Sequence, residues 1–350
     1  MRKKYYNMVE DMKKIRVFCR IRPVSRTEVA QDQDEAIVVK KIDDFSVTVE
    51  TSRGQREFQF DKVFSAAASQ EDLFHDTHLI QSALDGYNVC IFAYGQTGSG
   101  KTFTMVGDKE QKNLGIMPRS FNAIFDFIQE NSSKFDFKVS AYMLELYNDR
   151  LQDLFVSPAG EAHAQAQSHG QARRVEIKRN KKGVVFAQGA ETKEASSTQE
   201  LYALFQQACA NRHISATMNL ESSRSHLIVG IMVESRNLTN GSVSTGKLSL
   251  VDLAGSERAA KTGAKDHQLK SLQEANSINK SLSALGDVIS ALSAELPHVP
   301  YRNSKLTQYA TRVKAITNNA QRNVDSKEIA QLKEVIMKLR SGQTVEEDDD

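Results

Sequence analysis

Residues 95–102 read Gly-Gln-Thr-Gly-Ser-Gly-Lys-Thr, the complete GxxxxGK[ST] pattern of a phosphate-binding loop. The turn through Gly95, Gln96, Thr97, Gly98, Ser99 and Gly100 offers backbone N–H groups that can ring a phosphate. Lys101 can reach the β- and γ-phosphates of a nucleoside triphosphate, and the Thr102 hydroxyl can ligate Mg²⁺. Hydrolysis needs two further parts: groups that sense the γ-phosphate and a means of orienting water. The run Val251-Asp252-Leu253-Ala254-Gly255 places an acid where a strand ends, the expected setting for a carboxylate in the second Mg²⁺ shell. The Gly255 N–H is then free to meet the γ-phosphate, while Glu257 needs a partner. Asn219-Leu220-Glu221-Ser222-Ser223-Arg224-Ser225-His226 supplies clustered hydroxyls and an arginine ahead of a strand, a grouping that makes little sense as core. Its blander reading is a polar turn that caps the strand.

These residues need a scaffold of strands that end together. The apolar run Val89-Cys90-Ile91-Phe92-Ala93-Tyr94 leads into the phosphate loop as a buried strand, and an amphipathic stretch follows it. Alternation marks Ile15 to Arg22 as a strand that Pro23 ends. Further strands are expected at 46–50, 57–60, 137–146, 227–235 and 247–252, and helices at 70–84, 120–129, 198–212 and 275–292. Strands interleaved with helices predict an α/β fold, a sheet covered on both faces. Residues 156–172, rich in Ala, Gln, Gly and His, lack an apolar period and read as a surface insertion. His163 and His169 within it read as solvated loop histidines rather than metal ligands. Near the end, Ile329, Leu332, Val335, Ile336 and Leu339 form one apolar helical face that could pair as a coiled coil or dock on the body.

The bulk numbers fit an ordinary soluble chain: 350 residues, 40% hydrophobic and 26% charged. No apolar run approaches the roughly 18 residues that a bilayer span requires, and no signal-peptide core follows the basic start, so no membrane role is expected. Cys19, Cys90 and Cys209 are isolated, which predicts reduced thiols, two of them buried, in a cytosolic protein. The net charge of +2 hides an excess of positive charge, because Glu346, Glu347, Asp348, Asp349 and Asp350 are all acidic. Charge alone does not choose between nucleic acid, membrane and an acidic protein surface as the partner.

Taken together, residues 95–102, the SSRSH core of 219–226 and the DLAGSE run of 252–257 resemble the phosphate loop and two switches of the kinesin motor domain. Arg20-Ile21-Arg22-Pro23 resembles that family's adenine-bracketing RxRP, and Tyr301-Arg302-Asn303-Ser304-Lys305-Leu306-Thr307 its microtubule-facing YRxSKLT. The resemblance runs from about Ile15 to Ile316. It implies a P-loop motor fold, with a central mixed, largely parallel sheet between helices, over residues 15–317. It also implies a microtubule-stimulated ATPase that uses ATP, ADP and Mg²⁺. Lys101 would serve the β/γ-phosphates, and Thr102, Ser223 and Asp252 the metal. Ser222 would position the attacking water, Gly255 would meet the γ-phosphate, and Arg224 and Glu257 would pair to close the switches. Arg20, Arg22, Pro23 and Tyr94 would bracket adenine, and the absence of a guanine-reading NKxD pattern favours ATP over GTP. Lys261, Lys265, Lys270, Arg302 and Lys305 fall in segments that contact acidic tubulin in the family, with no nucleic acid as a partner.

Two finer likenesses narrow the type. A helix over 1–14 is similar to the neck of minus-end-directed, C-terminal-motor kinesins (kinesin-14). Residues 318–350 resemble the neck mimic and acidic segment of the calmodulin-regulated plant and algal kinesin, although no basic amphipathic calmodulin target is visible in the chain. Cytoplasmic, cytoskeletal and spindle location follow from the same likeness. The chain departs from the family where Gln308 meets Tyr309: about thirty residues, a typical helix plus strand, are absent. A non-motile microtubule-binding module, locked by that loss, is therefore the rival reading, and a P-loop NTPase unrelated to filaments a third.

Overall fold

The computed structural model describes residues 15–24, 38–77, 79–108, 110–156, 175–179, 185–215, 223–257, 268–310 and 324–325. The expected neck helix, almost all of the 156–172 insertion, Ser222, Lys261, Lys265, the 329–339 helix and the acidic tail lie outside the described residues. The chain starts with β1 (Phe18–Arg20), then β2 (Val39–Lys41), β3 (Ser46–Thr51) and β4 (Gly54–Gln59), the last three forming a small antiparallel sheet. Next, β5 (Lys62–Phe64) returns to pair in parallel with β1. Helical segments α1 (Gln70–Thr77) and α2 (Leu79–Leu84), either side of a position outside the described residues, fall where a helix over 70–84 is expected. They lead into β6 (Asn88–Ala93), the phosphate loop and the short α3 (Lys101–Met105).

The central sheet then assembles. Helix α4 (Ile116–Asn131) begins four residues earlier than expected. Pro118 sits in its first turn, where a missing N–H costs no intrahelical bond. Strands β7 (Phe135–Tyr147) and β8 (Arg150–Asp153) form a hairpin whose two-residue turn, Asn148 (φ 49°) and Asp149 (φ 56°), is left-handed at both positions. Asn and Asp tolerate that region better than other side chains do, and such turns match strand twist. Strands β9 (Glu176–Arg179) and β10 (Val185–Gln188) make a separate hairpin, and β11 (Lys193–Ala195) joins β7. After α5 (Thr198–Ser215) come the long strands β12 (His226–Asn237) and β13 (Val243–Asp252), the helix α6 (Gln268–Ser293), a 3₁₀ turn (Tyr301–Asn303), α7 (Lys305–Tyr309) and β14 (Val324–Asp325).

The main sheet runs β11-β7-β12-β13, with β14 and β6 both on the far side of β13. It is mixed, as expected, but mainly antiparallel: β6 against β13 is its one parallel pairing among the described strands. Hairpins rather than helical crossovers join β7 to β8 and β12 to β13, and a hairpin can only make an antiparallel pair. Alternation along β12 sends Leu227, Val229, Ile231 and Val233 to one face, packed under α1, α2, α4 and α5 with Leu73, Leu84, Phe121 and Leu201. Ile228 faces the other way with Leu144, Val251 and the α6 residues Ile278, Leu282, Leu285 and Val288. Each such fully buried aliphatic side chain stabilises the sandwich by about 1.5–3 kcal/mol.

One expectation needs adjusting. The cysteines are free but half-buried, not fully buried. At the Gln308–Tyr309 join, α7 runs on and buries Tyr309, whose hydroxyl lies 2.9 Å from that of Tyr142 and donates to Ser249 at 3.1 Å. The Lys247 ammonium stands 4.7 Å from the Tyr142 ring centre and 5.1 Å from that of Tyr309.

Candidate nucleotide-binding site

The register of β6 on β13 sets the site. Ala93 pairs with Asp252, the last residue of each strand, so the two following loops leave the sheet side by side. Ligands in open α/β sheets collect at such carboxyl ends. The loops are stitched together by Leu253 N–H donating to Ala93 O (3.3 Å) and Ser256 N–H donating to Gly95 O (3.1 Å). Within the phosphate loop Gly98 (φ 79°) and Gly100 (φ 94°) occupy left-handed backbone, which lets the chain curl around an anion. Gly95 (φ 154°) also holds a backbone conformation that residues with a side chain rarely adopt.

Thr102 donates its hydroxyl to Asp252 Oδ2 at 2.7 Å. Asp252 is 2% exposed, and its other oxygen, Oδ1, has no hydrogen-bond partner. Burial pushes its carboxyl above the usual range, against the pull of the Thr102 hydrogen bond and the Arg212 and Lys101 charges. A buried carboxylate oxygen without a partner beside a hydroxyl is the kind of oxygen pair that Mg²⁺ and its waters would satisfy. The residues present therefore fit the metal. Lys101 Nζ donates to Gln96 O at 2.9 Å within the loop. Burial lowers its pKa, while Asp252 and Glu257 act to raise it.

The switch residues are placed as follows. Gly255 N–H donates to Ser223 O at 2.7 Å, so the amide expected to meet a γ-phosphate is held by the other switch in this structure. Glu257 accepts from Thr97 N–H at 2.8 Å and, through its other oxygen, from the Thr97 hydroxyl. Burial pushes the Glu257 carboxyl up, but the Thr97 hydrogen bonds and Lys101 outweigh it and leave its pKa lowered. Both Glu257 oxygens thus engage the phosphate loop, whereas the sequence reading expects Glu257 to pair with Arg224.

Among the expected base-bracketing residues, Arg22, Pro23 and Tyr94 are exposed, Tyr94 by 66%. Arg20 instead points into the protein, donating to Gln70 Oε1 (2.6 Å), Thr104 Oγ1 (3.0 Å) and Ala68 O (3.5 Å), with its guanidinium 5.4 Å from the Phe103 ring centre. It ties β1 to α1 and α3. The exposed Phe103 ring beside it carried no motif and was not anticipated.

With that geometry in place, comparison with known proteins is direct. A kinesin motor domain profile matches residues 20–313. The chain belongs to the kinesin motor domain family. It is 43% identical to the kinesin-like protein KIN-14E of Arabidopsis thaliana, over all of this chain and 29% of the relative. It is 44% identical to KIN-14I of Oryza sativa subsp. japonica, over all of this chain and 30% of that one. The chain therefore spans about 30% of the length of these curated relatives. The first alignment extends over 390 positions for a chain of 350 residues, so the relative carries residues that this chain lacks. Among solved structures, that of a fast kinesin superposes with a TM-score of 0.75 at 33% identity, covering 89% of this chain and 94% of that one. The motor domain of the Kar3-like kinesin from Ashbya gossypii gives 0.69 at 32%, covering 88% and 90%.

The segment 301–307, which the sequence reading expects to face microtubules, is also formed. Ser304 caps α7 in a reciprocal capping box with Thr307, which leaves Arg302 exposed in the 3₁₀ turn and Lys305 at the first helical position. The Lys305 N–H donates to Asp149 Oδ1 at 3.2 Å, anchoring this segment on the β7–β8 turn. Lys270 lies in the first turn of α6. Motif reading missed the buried set Arg212, Glu145 and Ser225 that holds the first switch. Arg212 Nε donates to Glu145 Oε1 (3.1 Å), Arg212 reaches Ser225 Oγ (3.0 Å), and Ser225 donates to Glu145 Oε1 (2.5 Å). The only available signal was an arginine late in an amphipathic helix and a glutamate within an apolar strand.

Proposed function

We propose that this chain is an ATP-hydrolysing, microtubule-stimulated motor domain of the kinesin-14 type. The observation that carries the reading is the β6–β13 register, which brings Thr102 of the phosphate loop against Asp252 of the DLAG run. Backbone N–H groups of residues 96–102 cradle the phosphates, and Lys101 leaves Gln96 O to meet the β- and γ-oxygens. Thr102, with Ser223 and Asp252, holds Mg²⁺, which when bound neutralises charge on the phosphate oxygens. Ser222 and Ser223 orient water in line with the γ-phosphorus. The water–phosphorus bond forms as the bond to the β,γ-bridging oxygen breaks, releasing ADP and phosphate. Gly255 must leave Ser223 O, and Glu257 must leave Thr97, before Gly255 meets the γ-phosphate and Glu257 pairs with Arg224. Arg22, Pro23 and Tyr94 flank adenine, and Arg20 stiffens that wall from behind.

Lys261, Lys265, Lys270, Arg302 and Lys305 supply the positive charge that acidic tubulin would meet. Likeness to the KIN-14 relatives supports minus-end direction and a cytoskeletal, spindle-associated place of action. Calmodulin control would act through sequence outside residues 1–350, so Ca²⁺–calmodulin is expected to leave the ATPase of this chain unchanged. One observation favours the rival, non-motile module: β6 pairs only with β13 among the described strands. ATPase rates with and without microtubules decide between them. Stimulation together with gliding of filaments supports the motor, binding without stimulation supports the module, and an ATPase that neither binds nor responds to filaments refutes both.

A further inference from the structure

The side chain of His226 joins two elements that the phosphate contacts do not connect. It is 3% exposed at the start of β12, and its Nδ1 accepts the Ala254 N–H at 3.0 Å. A backbone amide only donates, so Nδ1 is unprotonated and the proton of the neutral ring sits on Nε2. Nε2–H therefore donates to Ser281 Oγ at 2.9 Å, and the Ser281 hydroxyl passes on to Ile278 O at 2.8 Å. Burial, with the Arg212 and Lys101 charges added, pushes the imidazole down to about 3 and keeps the ring uncharged at neutral pH.

Position gives the ring its consequence. Ala254 and Gly255 are consecutive amides of the DLAG corner, and both hold the segment 223–226, one through the imidazole and one through Ser223 O. Gly255 can approach a γ-phosphate only by releasing Ser223, and the Ala254 amide that the imidazole holds is the next one along the same corner. At the other end Ser281 and Ile278 lie on the buried side of α6, 8% and 9% exposed. Beside the ring, a cavity of about 10 Å³ touches Arg224, Asp149 and Ser281, room for no more than one water.

We propose that His226 is a positioning residue that carries movement of the Ala254–Gly255 corner to α6 through its two hydrogen bonds, one to Ala254 N–H and one to Ser281 Oγ. It touches neither nucleotide nor the reacting atoms. The proposal rests on the ATPase reading only in taking the γ-phosphate as what moves Gly255. A merely satisfied core histidine would support the fold without linking the two ends.

Hydrogen–deuterium exchange over 268–293 tests this in the full 350-residue chain, comparing ADP with a non-hydrolysable ATP analogue. ATPase is measured alongside, with and without microtubules, for the wild type, Ser281→Ala and Ser281→Thr. The wild-type α6 should exchange differently in the two nucleotides. Ser281→Ala should shrink that difference and the microtubule stimulation by about fivefold or more, the lower range of allosteric couplings, with basal ATPase within about twofold. Ser281→Thr, which keeps the hydroxyl, should restore both. An undiminished nucleotide response in Ser281→Ala overturns the proposal, as does a parallel fall of basal and stimulated rates that Ser281→Thr does not rescue. A wild type that hydrolyses ATP but shows no response in α6 overturns the coupling alone. A wild type without ATPase removes the functional reading and the coupling together.

Discussion

Replacing Arg212 by methionine should destabilise the domain by about 3–5 kcal/mol, the cost of stranding a buried charge. Arg212 and Glu145 each keep only 8% of their side-chain surface, and their contact at 3.1 Å is reinforced by Ser225, which bonds both partners. Removing the guanidinium leaves the Glu145 carboxylate buried with Ser225 as its remaining contact from this set. At about 2–4 °C per kcal/mol, a conversion established for somewhat smaller domains, the melting temperature should fall by on the order of 10 °C. Most of that loss is the price of an unpaired ion rather than the worth of the pair. Arg212→Met, Glu145→Met and Ser225→Ala combined should therefore recover most of the stability, since no buried charge or hydroxyl is left over. The recovered protein should still be impaired as an ATPase, because Arg212 also donates to Ser225 O at 3.2 Å and so fixes the chain just after Ser223 and Arg224. Urea unfolding of the single, double and triple variants measures the energies. A single variant that loses less than about 1 kcal/mol, or a triple variant as unstable as Arg212→Met, would refute the reasoning.

Other consequences are sharper in direction than in size. Lys101→Ala should abolish ATP turnover while the melting temperature stays close to the wild type's, and undiminished turnover in a folded Lys101→Ala protein would remove the site assignment. Arg302→Ala with Lys305→Ala should weaken co-sedimentation with microtubules and flatten its salt dependence, because screened charge pairs carry that contact; unchanged binding would move the interface elsewhere. Gly246→Ala should prevent folding or cripple it, since a Cβ there would lie 1.7 Å from Ala83 O, a backbone atom of α2 that has no room to retreat; a soluble variant of normal stability contradicts the packing of α2 on β13. His226 binds its proton only near pH 3 in the fold but near 6.5 when unfolded, so the unfolded state takes up more protons in between. Its contribution to stability is present above pH 6.5 and is lost as pH falls, by up to about 1.4 kcal/mol per unit. Urea unfolding at pH 7, 6 and 5 should show a smaller loss in His226→Asn than in the wild type, and equal slopes would exclude the histidine.

What could be read from the chain and what could not divides by how local the cause is. The phosphate loop was legible because its glycines, lysine and threonine are contiguous, and a buried strand before it is written in the same fifteen residues. Strands β7, β12 and β13 were legible because both faces of the sheet are covered, which forces long apolar runs. Their antiparallel order was not legible, since direction is decided by hairpin turns such as Asn148-Asp149 and not by the strands themselves. The short β9 and β10 gave no signal because six of their eight residues need not be buried to form a ladder that is mostly backbone. Contacts across the site were least legible of all. Glu257 reaches a threonine 160 residues away, and His226 an amide 28 and a serine 55 residues away, through a register that only the folded sheet defines. The motif reading paired Glu257 with Arg224 because chemistry permits it; in the structure the carboxylate lies on Thr97 of the phosphate loop, at hydrogen-bonding distance from an N–H that faces no other acceptor among the named contacts. A carboxylate on those donors occupies groups that an incoming phosphate would use. On the proposed function, Glu257 yields those donors when phosphate binds, and Arg224 is the partner its charge would then take.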